Sequence, residues 1–163
     1  MRVMAMVALV LIVSARAEGQ AGDKGKAIRR FGIDLDTKSF PQSNPKEALG
    51  SVVKAISDNR IDYLLAFLAD PEFVDKHVAK YANQLDPSLK QASKVNAAFD
   101  RLVKETTENF LDDPSKVKEL KRFLADGEWD EGKSAFTLRN LKARSVFMKR
   151  LPNERWVLLD REK

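Results

Sequence analysis

The chain has 163 residues, with 29 Lys and Arg against 24 Asp and Glu, one histidine and no cysteine. The missing thiols exclude disulfides, thiolate catalysis, cysteine metal sites and a lipid-modified cysteine. Its net charge of +5 is spread among interleaved acids and bases, as in Lys116 to Arg122, and lacks the concentrated basic stripe of a nucleic-acid binder.

Arg2 precedes an apolar run from Val3 to Val13, followed by Ser14 and Ala15-Arg16-Ala17. A positive end, a short apolar centre and a small-x-small site are the parts of a cleaved export signal. The run is too short for a spanning helix, which needs roughly 20 apolar residues. The reading is therefore a cut after Ala17, with residues 1–17 serving transport and no stable membrane anchor left behind. Loss of Arg2 and Arg16 leaves 27 basic against 24 acidic residues, a net +3. The lack of cysteine and of any Asn-x-Ser/Thr acceptor suits a bacterial export product, periplasmic or secreted.

Glu18 to Ser43 is polar, with scattered apolar points at Ile28, Phe31, Ile33, Leu35 and Phe40. It reads as a mobile leader and linker, residues 18–43, within which Ile33 and Leu35 alternate as in a short edge strand. Residues 44–163 read as one domain.

Four Asx-Pro pairs punctuate the next stretch: Asn44-Pro45, Asp70-Pro71, Asp86-Pro87 and Asp113-Pro114. Asp or Asn accepts the unpaired amide hydrogens of a first helical turn, and proline suits the position that follows. Glu47, three residues after Asn44, extends the first pair to a capping box. The spacing predicts helices from Pro45 to about Ser57, through Ile61 to Leu68, from Pro71 to about Asn83, from Pro87 to about Leu111, and from Pro114 to Ala125. Each carries an apolar stripe at helical spacing, such as Val95, Phe99, Leu102, Val103 and Phe110. Gly127 is placed to end the fifth.

From Glu128 the apolar period changes to two. Ala135 to Arg139 and Ala143 to Leu151 alternate, Pro152-Asn153 supplies a turn, and Arg155 to Asp160 closes the chain. Val146 and Met148 share one face, Phe147 and Leu151 the other. Helices followed by such strands predict an α+β fold, a helical N-terminal half packed on an antiparallel meander of three to four strands.

Gly127-Glu128-Trp129 after the last helix, and Pro152-Asn153-Glu154-Arg155-Trp156-Val157-Leu158 at the end, follow a helical start containing Ala55-Ile56-Ser57-Asp58-Asn59-Arg60-Ile61. Taken together, this arrangement resembles the nuclear-transport-factor-two-like superfamily, with its SnoaL-like and ketosteroid isomerase-like members. The resemblance spans roughly Asn44 to Asp160. It implies a cystatin-like cone, a curved sheet wrapped round a helix with an apolar pocket. It also implies a homodimer through the open sheet face, with Val146 and Met148 in the contact. Members usually place a strand hairpin between the helices, whereas here the helices run on to Ala125.

No motif singles out a chemistry. His77 shares a helix face with Phe73, Val74 and Tyr81 by spacing; it is either a general base or a half-buried residue completing that face. One histidine makes no His-rich metal site, and no metal or cofactor is expected. A ketosteroid isomerase-like mechanism needs an acid inside an apolar pocket, and Glu128 and Asp160 are the acids nearest strand positions. Trp129, Phe136, Phe147 and Trp156 either line a ligand cavity or fill the core. Arg139, Lys142, Arg144, Lys149 and Arg150 form the densest basic stretch. The expected function is an exported, soluble, non-enzymatic module binding a partner protein or a small apolar ligand. The alternatives are an isomerase- or dehydratase-like enzyme using a pocket carboxylate, and a module docking on an anionic envelope component.

Overall fold

The computed structural model describes residues 28–138 and 144–159. The export-signal reading falls on residues outside this range, as do Arg139, Lys142 and Asp160.

The described chain has an α+β fold, with helices first and a four-stranded antiparallel sheet last. It starts with a small hairpin, β1 (Arg29–Arg30) and β2 (Ile33–Asp34). The two residues between them, Phe31 and Gly32, both have positive φ (51° and 82°), as the tightest hairpin turn requires. The Phe31 ring stacks on Phe99 at 4.2 Å.

The stretch that follows departs from a linker. Phe40 is buried and stacks on Tyr63 at 4.3 Å. The Tyr63 hydroxyl accepts from the Asp36 backbone N–H at 3.1 Å and donates to the Asp36 carbonyl at 3.0 Å. Gln42 is only 2% exposed. Its Nε2 donates to the Phe67 carbonyl at 2.9 Å and the Trp156 carbonyl at 2.8 Å, while its own carbonyl accepts from the Trp156 N–H at 3.0 Å. Residues 28–43 thus form a strap clipped to the core from both the helical and the sheet side. Composition hides this, because the strap is held by backbone groups and three or four side chains.

Helix α1 (Pro45–Ser57) starts as the sequence predicts. Asn44 Oδ1 accepts from the Glu47 N–H at 2.9 Å, and the Glu47 carboxylate reaches back to the Ser43 N–H at 3.2 Å. Helix α2 (Ile61–Tyr63) is a single turn that widens into a π-helical segment, Leu64–Leu68, in which all five side chains are buried. Helix α3 (Pro71–Ala82) is capped by Asp70 and α5 (Pro114–Asp126) by Asp113. Asp86-Pro87 does not open a helix. Asp86 closes a local turn by accepting from the Ser88 N–H at 2.8 Å, and α4 (Gln91–Asp112) begins later, with no side-chain cap. Gly127 ends α5 in ordinary backbone geometry (φ −74°), and glycine is needed there for room. A Cβ would sit 2.2 Å from the Phe123 carbonyl oxygen.

The sheet runs β3 (Glu128–Asp130), β4 (Ala135–Thr137), β5 (Ser145–Arg150) and β6 (Trp156–Leu158), each pairing with the next. The register sets Trp129, Phe136 and Val146 in one row, and Met148 opposite Leu158 on the same face. That face is not open. Val146 and Met148 are buried in a cluster with Ala48 and Leu49 of α1 and Phe123 of α5. Helices cover the face that the resemblance left free for a dimer, so these two residues are core. A second, larger cluster gathers the strap, the other side of α1, the π-helical segment, α3 and α4. Helix α1 stands between the two clusters and feeds both.

Candidate functional site

Between the clusters the packing is incomplete, and an open groove of about 1060 Å³ remains. Its floor and walls come from four elements. Leu64 and Leu65 project from the π-helical segment, Phe110 from α4, Leu120 and Phe123 from α5, and Phe147 from β5. The π turn is closed by the Ala69 N–H donating to the Leu64 carbonyl at 2.8 Å, and both adjacent leucines reach the groove lining.

The charged groups at the groove are already engaged. Arg144 donates to Glu119 at 2.8 Å, and Lys116 lies 3.8 Å from Asp113. Asp70 is 6% exposed; it accepts from the Lys149 ammonium at 3.3 Å and from the Glu72 N–H at 3.4 Å. Lys149 also donates to Glu72 at 2.9 Å, and these two carboxylates, Glu72 first, hold its pKa above the usual value. Thr106 and Ser145 supply uncharged hydroxyls to the lining. The arrangement suits burial of an apolar body with one wet, polar rim.

Of the four aromatic candidates, Phe147 lines the groove and the other three do not. Phe136 is buried in the sheet-side cluster. Trp129 tilts against it at 5.2 Å and meets Trp156 edge-on at 5.4 Å, so the tryptophans pack on that cluster's outer side. His77 is half-buried on α3, its ring 4.2 Å from Phe73 and its Nδ1 2.9 Å from the Phe73 carbonyl; it does not line the groove. Glu128 is exposed on β3, an edge strand, away from the groove. Asp160 lies outside the described residues. Of the basic stretch, Arg144, Lys149 and Arg150 each face a carboxylate. Among the described residues no group of three or more His, Asp or Glu is placed to hold a metal ion, and no helix is long and apolar enough to cross a membrane.

Sequence reasoning missed Leu64, Leu65, Leu120 and Phe110 as groove residues, because a helical stripe reads as core. The available signal was the crowding of Leu64, Leu65 and Leu68 in a segment too short for a full amphipathic helix.

No protein-family model, curated protein or solved structure matches the chain. The fold is α+β and carries an apolar groove, and neither goes further towards a family.

Proposed function

We propose that this protein is an exported, non-enzymatic binding module that takes a small apolar ligand in the groove between α4, α5, the π-helical segment and β5. One observation carries the proposal: an open space of about 1060 Å³ walled by Leu64, Leu65, Phe110, Leu120 and Phe147, large enough for a drug- or lipid-sized body. The ion pairs around it favour binding over chemistry, since Asp70, Lys116, Glu119 and Arg144 each have an opposite charge to hold. Export rests on residues 1–17 and predicts a mature chain beginning at Glu18. Kinship with the nuclear-transport-factor-two-like superfamily is part of the same proposal and rests on the sequence runs quoted above.

The test is a titration of the mature protein with straight-chain alcohols. A saturable rise in melting temperature is expected, worth about 2.7 kcal/mol when free ligand reaches about a hundred times Kd. Trp129 and Trp156 emission should shift with it, since both pack on the cluster that supplies Leu120 and Phe123 to the groove. Thr106→Phe, which puts bulk into the groove from a half-buried position, should abolish the response and leave the unliganded melting temperature nearly unchanged. A response that survives Thr106→Phe, or no response across the series, defeats the assignment. Mass analysis of the exported product checks the cut after Ala17.

A further inference from the structure

We propose a second ligand site, for a small oxyanion with a short apolar body, in the cleft where the strap hairpin meets the β5–β6 turn. The cleft has a volume of about 510 Å³; Phe67, Leu151 and Pro152 form apolar walls, and Arg29, Arg30 and Arg155 converge on it.

The three arginines are not equivalent. Arg29 lies 3.4 Å from Asp34. Arg30 is bonded to Asp75, the only carboxylate among the described residues of the cleft lining, and donates to the Ala66 and Pro71 carbonyls, both at 3.2 Å. Arg155 is half-buried, and among the described residues no carboxylate lies within ion-pair distance of it. Its acceptors are neutral. Gln42 Oε1 lies 3.4 Å from Nη1. The Asn153 carboxamide, in the orientation that sets its oxygen against these donors, accepts from Nε and Nη2 at 3.0 Å each.

A carboxamide therefore occupies the place where a carboxylate would make a bidentate pair. Neutral acceptors satisfy N–H groups but do not cancel the charge, and a partly buried cation without a counter-charge is costly. Burial first of all opposes the protonated form of Arg155, the Tyr63 phenol favours it, and the Arg30 charge adds a smaller opposition. A carboxylate or phosphate group entering the cleft supplies the missing negative charge to a planar, fixed fork. Asn153 is exposed on the turn, so its side chain can rotate aside for the incoming oxygens. Phe67, Leu151 and Pro152 then receive the organic remainder, which is why a small organic anion fits better than a bare one.

The site is separate from the groove and its ligands carry charge, so the alcohol titration and this test can fail independently. The mature protein is titrated with benzoate, phenyl phosphate, inorganic phosphate and phosphatidylglycerol vesicles, reading melting temperature and the Arg155 Nε–Hε resonance. Benzoate and phenyl phosphate should raise the melting temperature saturably and shift that resonance, with inorganic phosphate weaker. Arg155→Lys, which keeps the charge and loses the fork, should weaken binding about tenfold or more. Asn153→Asp should raise the melting temperature without ligand and remove the anion response, since it fills the site from within. Four results overturn the proposal: no response to any soluble anion; a response that both variants retain; inorganic phosphate binding as tightly as the aryl anions; or binding to vesicles alone.

Discussion

Helix α1 buries six of its 13 residues, whereas α4 buries three of 22 and α5 one of 13. The helices are equally amphipathic to the eye; what differs is how many neighbours each has to lean on. Helix α1 is enclosed by the strap, the π-helical segment, α5 and β6, so most of its circumference is covered. The α4–α5 arm packs on one side only, and the groove opens along the line where it meets the rest. The central part of the molecule holds the fold, and the arm has surface to spare for a ligand.

The largest expected effect sets the two regions apart directly. Leu68→Ala, at a fully buried position in the π-helical segment, should cost about 2–5 kcal/mol in chemical denaturation, the usual range for a core cavity. Phe110→Ala, on the half-buried wall of the groove, should cost clearly less and reduce ligand response instead. Equal losses at both positions would mean that the arm is as integral as α1.

Next comes the strap. Gln42→Ala leaves the buried Phe67 carbonyl and the partly buried Trp156 carbonyl without their side-chain donor, at about 1–3 kcal/mol. Protease cleavage before Asn44 should accelerate in this variant. Unchanged stability would return residues 28–43 to the status of a linker.

A smaller effect tests the same strap through pH. Burial first, and then the Asp36 charge, keep the Tyr63 phenol above its ordinary pKa of 10.0, against hydrogen bonding to the Asp36 backbone. The folded chain then holds a proton that the unfolded chain releases, so stability is full below about pH 10 and falls as pH rises through the folded value. Tyr63→Phe should cost about 1 kcal/mol at neutral pH and flatten that alkaline loss. On the acid side the sign reverses. Glu105, bonded to Tyr81 and Arg101, titrates below its usual 4.5, and the stability it adds is lost as pH falls through its folded value.

The smallest effect separates a true cap from its imitation. Asn44→Ala should cost about 1 kcal/mol by removing the acceptor of the Glu47 N–H. Asp86→Ala should change the melting temperature less, because the Asp86 side chain holds a turn that no helix continues.

The sequence by itself determined the order of elements. Asx-Pro caps start α1, α3 and α5, the switch from helical to alternating spacing at Glu128 marks the sheet, and Gly127 divides them. These are local rules, set by backbone hydrogen bonds and side-chain reach within a few residues, and they are legible for that reason. What joins distant parts of the chain was decided only in three dimensions. Gln42 meets Trp156, Asn153 turns towards Arg155, and α1 and α5 close over Val146 and Met148. The groove itself has no local signature. It is the volume left when a helical arm and a twisted sheet meet at a helix that can fill only one side of each. Such a remainder depends on the relative placement of all three, and no single segment of the sequence records it.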